Sequence, residues 1–492
     1  MLSIAEIKKF IEDDINSDKK KKAAEGQRYY DAEHDILKHR LFYFDSDGNL
    51  VEDTTRANIK ISHPFFMILS DQLSSYMMSF EGNAIRAKES ADKLQEHLDH
   101  YFDDEFWQEI GELINGAYNK GFEYLYAYKN AEDRLAFECA DCKGVVEVMA
   151  KDADDNRDHI IYWYVDRIDK GKKEIRRIQD WSAAEGVSYY VQIGKGGKIE
   201  PDDSAEVNPR PHVVYTDGET GEKMGYNFGF IPFWRLDNNK KQISGLKPVK
   251  PLIDDYDLHA CSLSNNLTDF DTPLHVVKGF QGTDLSELQQ NLKTKKVVGV
   301  DSEGGIEVKT VDVPYQARKE KLDIDKENIF TFGMGFNPAQ VGDGNITNVV
   351  IKSRYTLLDL KANKMQDRLC ALLKKIIKVV LDEINEKHKR DYQLSDVYFE
   401  FSRSVMTNET ENIQNAKTEA ETKQVEINTI LNAATVIGDE KTLQLICESL
   451  DIDYEEIKDQ VEEIQEEQKL KEAKKTLEGV LTDDEEDPEG AE

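Results

Sequence analysis

Two cysteines, Cys139 and Cys142, have the spacing of a redox or metal-binding pair. A structural zinc site needs a second pair of ligands, and neither Cys261 nor His159, the next cysteine and the next histidine, belongs to one. A redox pair usually opens a helix, whereas Cys142 leads into the strand-like run Val145–Val148. We therefore expect reduced thiols without a chemical role.

Two further patterns have the residue types of metal sites. His97 and His100 lie on one face of an amphipathic segment, but no third ligand stands at a suitable spacing, so we expect surface or core histidines. The stretch 45–49 places Asp, Asp and Asn at alternate positions as a calcium loop does. Its glycine is displaced and the twelfth position is Arg56 instead of Glu, which indicates a turn.

The glycine-rich stretch Gly194–Lys198 resembles a phosphate-binding loop only in composition. Gln192 and Ile199 occupy the positions where that motif needs Gly and a hydroxyl residue, so a hairpin turn is predicted. No nucleophile triad or dinucleotide fingerprint has recognisable local spacing. Acidic residues are numerous, however, so a metal-dependent nuclease built from scattered carboxylates stays open as an alternative.

The composition describes an acidic chain of several domains. Its 492 residues exceed the size of one hydrophobic core, and 97 acidic against 64 basic residues give a net charge of −33. Such a surface repels phosphates, so DNA would be passed and not gripped. No apolar run approaches a membrane span, and the N-terminus lacks a signal-peptide core, so we expect a soluble, intracellular protein. The tetralysine run Lys19–Lys22 is expected to be a solvated face.

The longest element predicted is a helix from Asn345 to His388, which contains neither Gly nor Pro. At 1.5 Å per residue it would be roughly 65 Å long, so it needs packing partners along its length. Shorter segments have helical or strand periodicity. The helices are expected at Ile4–Ile15, His63–Phe80, Ala91–Tyr101, Glu105–Asn119, Leu246–Phe270, Leu285–Leu292, Tyr315–Phe332, Glu409–Ala433, Leu443–Leu450 and Tyr454–Leu477.

Strand-like periodicity predicts a β-rich region between Phe122 and Arg235. Its strands are expected at Tyr124–Tyr128, Val145–Met149, Ile160–Tyr164, Ile175–Ile178, Ser188–Ile193 and Val213–Tyr215. A hairpin is expected from Leu41 to Val51, and a small strand cluster at His275–Val277, Val297–Val300 and Ile306–Val311. The last strand is Val397–Phe401, and the acidic tail from Leu481 is expected to be disordered.

The order of these elements and several local signatures resemble the portal proteins of tailed bacteriophages, in particular the siphovirus type, over roughly Ala24 to Ile452. Each signature is weak alone, whereas their order and spacing are fairly specific. They are Arg28-Tyr29-Tyr30 with Asp35-Ile36-Leu37, Asn58–Tyr76 with Ile85, Gly116–Tyr128, Ile231-Pro232 before Leu252–Tyr256, Gly344–Thr347, and Phe401–Arg403 followed by Asn408–Thr410.

The resemblance implies an α+β portal fold that assembles into a ring, usually of twelve copies, without an active site or cofactor. The ring would stand at one capsid vertex of the virion after assembly in the host cytoplasm, and double-stranded DNA would be packaged and ejected through it. By this likeness the regions are a wing (1–235), a stem helix (246–270), a clip (271–314), a second stem helix (315–332), a tunnel loop (333–346), the long helix with a wing strand (347–408), crown helices (409–477) and an acidic tail (478–492).

The resemblance also assigns two candidate sites. The DNA-facing tunnel loop would contain Gly333, Met334, Gly335, Phe336, Asn337, Gln340, Asp343 and Asn345. The clip that docks the packaging motor and the connector would contain His275, Lys278, Lys293, Lys295, Lys296, Glu303 and Lys309. The implied partners are the terminase large subunit, the major capsid protein and scaffold, a head-completion or adaptor protein, and DNA without sequence specificity; no membrane is involved.

Elementary physics agrees with this assignment. The tunnel loop contains no Lys or Arg, so it would not pair with phosphates, and its glycines, Gly333, Gly335, Gly342 and Gly344, would let it change shape. Two alternatives differ in class: the scattered-carboxylate nuclease, and an acidic scaffold-like interaction protein suggested by the helical C-terminal part. The particle mass and a test for metal-dependent cleavage separate them from a portal.

Overall fold

The computed structural model describes residues 1–91, 93–130, 134–149, 157–168, 171–194, 196–216, 223–269, 274–280, 284, 286, 288, 300–309, 314–337, 348–403, 409–450 and 454. The chain divides into two compact units. The first contains residues 1–343 and 352–405, and the second contains residues 344–351 and 406–492.

The described helices are α1 (Ile4–Ile15), α2 (Asp18–Tyr30), α3 (Phe65–Met77), α4 (Leu94–Tyr101), α5 (Asp104–Lys120), α6 (Lys250–Asp269), α7 (Tyr315–Phe332), α8 (Asn348–His388), α9 (Glu409–Ile437) and α10 (Asp439–Leu450). The strands are β1 (Phe42–Phe44), β2 (Leu50–Glu52), β3 (Ile85–Ala87), β4 (Phe122–Lys129), β5 (Leu135–Ala140), β6 (Val145–Val148), β7 (His159–Ile168), β8 (Lys173–Ser182), β9 (Gly186–Ile193), β10 (Ile199–Pro201), β11 (Val213–Thr216), β12 (Lys223–Tyr226), β13 (Phe233–Asp237), β14 (Leu274–Phe280), β15 (Val300–Lys309) and β16 (Val397–Phe399). No helix in these ranges combines the length and apolarity needed to cross a membrane.

The main core lies along one face of α8. From Leu358 to Ile384 its buried residues recur every three or four positions and pack with α3, α5 and one face of a three-stranded sheet in a single apolar cluster. The opposite face of α8 is rich in exposed lysines, which is why the helix is amphipathic in spite of its length. The helix has no heptad pattern for a coiled-coil partner, so packing against the rest of the chain stabilises it instead.

Strand β4 joins two cores because it is buried on both faces. It is the central strand of the three-stranded sheet, in the order β13-β4-β5. Leu125 and Ala127 point into the main core, whereas Phe122 and Tyr124 point into a second cluster that contains Trp181. This alternation follows from the two-residue period of a strand.

An antiparallel five-stranded sheet, in the order β10-β9-β8-β7-β6, forms the larger β layer. One face packs against the second cluster, and the other is covered by Ile7 and Ile11 of α1. These two isoleucines are one helical turn apart, so they share a face of the helix. Ser3 and Glu6 form a capping box at the start of α1, which satisfies its first N–H groups.

A buried carboxylate attaches α6 to the N-terminal part of the chain. Asp257 is completely buried, and its two oxygens lie 2.6 Å from His34 Nδ1 and 2.7 Å from His63 Nδ1. The His63 N–H also donates to Asp257 at 3.0 Å. Although burial opposes it, hydrogen bonding to both imidazoles lowers the pKa of Asp257. A charge here is therefore tolerated because every partner is built in.

The sequence predicts most of the elements correctly. Tyr315–Phe332 matches α7, the long helix ends at His388 as predicted, and the β-rich region and the first hairpin are confirmed. Positions 345–347, most of Leu285–Leu292, most of Tyr454–Leu477 and the tail lie outside the described residues.

Two expectations are corrected. The sequence predicts two separate strands, Val297–Val300 and Ile306–Val311. Over 300–309 this is wrong, because the structure has one continuous strand there, β15, which pairs with β14. Leu246–Phe270 begins as turns, and α6 starts only at Lys250, one residue before Pro251.

The tetralysine run is not the solvated face that its composition predicts. Lys20 is only 5% exposed, and its ammonium donates to the Cys142 and Val145 carbonyls and lies 3.0 Å from Asp14. Lys19 lies over the Phe122 ring at 4.0 Å. Lys21 and Lys22 are exposed. Composition alone could not separate these lysines, because the contacts come from the distant strand β6 and the turn before it.

We expect Lys20→Met to lower the free energy of unfolding by about 2–4 kcal/mol, because the change leaves two buried carbonyls and a half-buried carboxylate without their donor. Lys21→Met is the matched control and should change it by less than about 0.5 kcal/mol. Urea unfolding followed by circular dichroism measures both. Equal effects would show that the Lys20 contacts contribute no stability.

Candidate functional site

The cysteine pair has the environment of inert thiols. All five cysteines are free, and burial raises the pKa of both the Cys139 and the Cys142 thiol, with acidic neighbours adding to the shift. Glu123, Asp141 and Cys142 form a group close enough to hold a metal ion. The Lys120 ammonium bonds to Glu123 and lies 3.1 Å from Asp141, so a cation already occupies this position.

The histidine pair on α4 is not brought to a common ligand site. The His97 ring stacks on His388 near the end of α8, with centroids 4.1 Å apart. Burial and the neighbouring imidazole lower the pKa of His97. Within the described residues His97 and His100 belong to no metal-compatible group.

The first part of the predicted tunnel loop is packed tightly against α3. A Cβ on Gly333 would lie 2.5 Å from Leu69 Cδ1, and one on Gly335 would lie 2.2 Å from Leu69 Cδ2. Met334 between them has a left-handed φ of 52°. Both glycines are therefore required for the loop to approach α3 closely. The prediction that they let the loop change shape is wrong for this pair.

Phe336, the next residue of the loop, is held by hydrogen bonds between its backbone and a side chain of α3. Gln72 of α3 accepts from the Phe336 N–H at 3.0 Å and donates to the Phe336 carbonyl at 2.7 Å. The Phe336 ring stacks on Tyr355 of α8, with centroids 4.6 Å apart. We call Gly333–Phe336 the loop root, because it is fixed to both α3 and α8.

A buried lysine connects the loop root to the main core. Lys361 Nζ donates to the Gly333 carbonyl at 3.1 Å and to the Leu69 carbonyl at 3.2 Å, and lies over the Tyr118 ring at 4.6 Å. Gly333 caps the C-terminus of α7, where a positive charge is favourable. Burial lowers the pKa of Lys361 to about 7, while the carbonyls and the ring favour the charged form.

Sequence reasoning did not identify these anchoring residues. Gln72 and Tyr355 give no local signal, since their partner is far along the chain. Lys361 does give one: it falls between Leu358 and Met365 on the apolar face of α8, where a lysine must be satisfied internally. Of the remaining loop candidates Asn337 is half-buried, and Gln340, Asp343 and Asn345 lie outside the described residues.

The clip candidates fall on the hairpin β14–β15. His275 pairs with Val308 and Lys309 with Leu274, while Lys278 faces Gly305 and lies 3.3 Å from Glu307. Glu303 is exposed. Ile306 and Val308 on the same hairpin are 40% and 59% exposed, an apolar surface that the charged candidates did not indicate. Lys293, Lys295 and Lys296 lie outside the described residues.

The sequence match to a known family covers nearly the whole chain. The family described as "Phage portal protein, SPP1 Gp6-like" matches residues 9–470. The chain belongs to this portal family. The portal protein of Bacillus phage SPP1 is 26% identical over 395 residues, covering 79% of this chain and 75% of the relative. The portal protein of Clostridium phage phiCD119 is 23% identical over 406 residues, covering 79% and 83%.

A solved structure, the neck of a native GTA particle with C12 symmetry, matches 78% of this chain and 89% of its own with a TM-score of 0.38 and 11% identity. The family assignment therefore rests on sequence. It confirms the predicted portal family, and the structure confirms the predicted mixed helix and strand fold. The family is a structural one, and the nuclease alternative is not favoured.

We expect Gly335→Ala to destabilise the loop root by about 1–3 kcal/mol, because the new methyl group would overlap Leu69, which is itself completely buried. Gly305→Ala in β15 is the control, since no atom lies within 4 Å of its added Cβ. Thermal unfolding of the two variants measures the difference. A Gly335 variant as stable as the control would contradict the tight packing.

Lys361 should make stability depend on pH. Its pKa is about 7 in the folded chain and about 10.4 when unfolded, so between these values the unfolded state binds more protons. The free energy of unfolding should then rise with pH by up to about 1.4 kcal/mol per pH unit relative to Lys361→Met. Urea unfolding at pH 7 to 9.5 tests this, with the exposed Lys364→Met as control; parallel curves for wild type and Lys361→Met would contradict it.

Proposed function

We propose that twelve copies of this chain close into a ring through which double-stranded DNA enters the capsid during packaging and leaves at ejection. The observation that carries the proposal is the family match over residues 9–470. The loop root adds support, because it holds the end of α7 and the start of a lysine- and arginine-free loop at a defined place on the core. The parts of the chain keep the roles that the resemblance implied.

The proposed contact with DNA is repulsive on average. A wall that neutralised phosphates would release counterions and bind the duplex, which would oppose movement. The chain has a net charge of −33, and Asp343 is the charged residue of the loop segment beyond the root. We assign Asn337, Gln340, Asp343 and Asn345 to the surface that the duplex passes, and the loop root to its anchor.

The clip hairpin β14–β15 is the proposed docking surface for the terminase large subunit and later for the head-completion or adaptor protein. Its exposed Ile306 and Val308 lie on one face of the hairpin, and the charged Lys278 and Glu307 lie on the other, because strand side chains alternate. The apolar face is the part of the hairpin that a partner would cover, and the exposed Glu303 adds a further charge. The wing and the crown helices would contact the major capsid protein and scaffold.

Native mass spectrometry and negative-stain imaging test the ring. Twelve chains of 56.4 kDa give a particle of about 0.7 MDa with a central hole. DNA incubated with Mg²⁺ or Mn²⁺ should stay intact. A monomer that cleaves DNA only with a divalent metal would contradict the proposal and support the nuclease.

We expect Asp343→Lys to slow DNA passage, because twelve added lysines would bind phosphates in the channel. Binding of a short duplex to purified rings should become tighter than for wild type and should weaken steeply between 50 and 200 mM salt. Asp47→Lys, on the exposed turn of the first hairpin, is the control of equal charge change. Equal binding by the two variants would show that Asp343 does not face the duplex.

A further inference from the structure

The exposed side of α8 carries a basic patch in an otherwise acidic chain. Five basic residues share an arc of roughly 120° around the helix axis. They are Lys364, Arg368, Lys374, Lys375 and Lys378, which we call the basic face. The four lysines are exposed and Arg368 is partly exposed. Asp367 is the only acidic residue of the sequence between Lys364 and Lys378, so the patch has an excess of four positive charges.

The charges of the basic face are not neutralised within the described part of the chain. None of its five residues forms an ion pair there. Exposed lysines on other helices, such as Lys8 and Lys417, pair with a glutamate four residues along the same helix. The chain has 97 acidic residues from which such partners could be drawn. The lack of these partners on the basic face therefore needs a physical reason.

The spacing within the basic face weakens the helix. Lys364 and Arg368 are four residues apart, and so are Lys374 and Lys378, so like charges are neighbours on the helix surface. Lys375 adds a third charge, three residues from Lys378. Such pairs destabilise a helix, whereas a glutamate at one position of each pair would stabilise it. A polyanion bound along this face would remove the repulsion.

The composition of the face favours phosphate over a protein surface as its partner. From Asn363 to Lys378 its exposed residues are polar or charged apart from Ala371, although Leu360, one turn before Lys364, is exposed at its end. Protein interfaces have an apolar centre and are depleted in lysine, whereas lysine and arginine on phosphate oxygens dominate nucleic-acid binding. The five charges extend over roughly 21 Å, the length of about six base pairs. They can therefore follow one strand of a duplex.

The basic face is directed away from the loop root. Phe336 of the loop root stacks on Tyr355, which lies roughly 160° around the α8 axis from the centre of the basic face. Leu369, which is buried in the main core, also lies roughly 160° from that centre. A duplex on the basic face would therefore approach α8 from the side opposite to the loop root.

We infer that the basic face of α8 binds the phosphate backbone of double-stranded DNA. Its ammonium and guanidinium groups would donate to phosphate oxygens without touching base edges, and so without sequence preference. The net charge of −33 does not prevent this, because charges farther away than about 8 Å are largely screened at physiological salt. In the proposed ring the duplex would be packaged DNA beside the channel. That source rests on the proposed function, whereas the binding itself does not need the ring.

Fluorescence anisotropy with a labelled 20-base-pair duplex tests the site on the full chain. Five phosphate contacts should give a slope of about −4.5 for the logarithm of the binding constant against that of salt, or roughly 500-fold weaker binding at 200 mM than at 50 mM. Lys374→Gln with Lys378→Gln should weaken binding at 50 mM by at least about tenfold and change the slope to about −2.7. Lys240→Gln with Lys241→Gln, in an exposed turn outside α8, is the control of equal charge change and should bind like wild type.

Thermal unfolding separates a binding role from a structural one. Lys374→Gln with Lys378→Gln removes a like-charge pair, so this variant should melt at the same or a higher temperature than wild type while it loses binding. A lower melting temperature would assign these lysines to the fold and overturn the site. Equal binding by this variant and wild type, or no binding of duplex by wild type at 50 mM salt, would overturn it as well.

Two further measurements identify the partner and keep the two proposals apart. Polyglutamate of similar length that binds where the duplex does not would overturn the phosphate assignment and indicate an acidic protein partner. Native mass spectrometry reports on the ring independently. Rings that do not bind duplex would overturn the site and leave the proposed function intact, whereas duplex binding by a chain that forms no ring would overturn only the proposed function.

Discussion

The Lys361 ammonium is the contact on which the arrangement of the first unit depends. It belongs to α8, yet its acceptors are the Leu69 carbonyl of α3 and the Gly333 carbonyl at the end of α7. A buried ammonium needs its donors satisfied, and here main-chain oxygens satisfy it without a carboxylate. Because those oxygens are fixed by helix geometry, a shift of α7 by one residue would leave the charge unpaired. The lysine thus selects one register of three helices.

Asp257 plays the corresponding role at α6. Its carboxylate receives two imidazoles and a backbone N–H, all from residues before Phe65. Two apolar surfaces can shift slightly against each other at little cost in free energy. A buried polar group, in contrast, has all its hydrogen bonds in only one arrangement, and those bonds offset the free energy lost by removing it from water. Helices α6 and α7 are therefore each fixed by a buried polar side chain, Asp257 on α6 and Lys361 of α8 at the end of α7.

How far the sequence predicts this structure depends on the range of the interactions. Helices such as α7 follow from local periodicity, and its predicted bounds agree with the structure. The buried positions of Lys20 and Gly335 do not follow from local periodicity. Their partners, Cys142 and Leu69, lie 122 and 266 residues away in the sequence. A lysine within a basic run and a glycine within a glycine-rich loop have the same local appearance whether buried or free. Their roles are set by tertiary packing, and the sequence contains a warning only for Lys361, which interrupts an apolar face.

The large negative charge raises the question of how such chains could stand side by side. At physiological salt the screening length is about 8 Å, which is short compared with the width of a folded subunit. The net charge of −33 therefore acts mainly within a few ångströms of each surface. What matters at an interface is the local set of groups and not the total charge. Beside DNA, the same short range means that the residues nearest the duplex decide whether it binds or passes. Acidity of the whole chain and association of its copies are thus compatible, because each is decided by different residues.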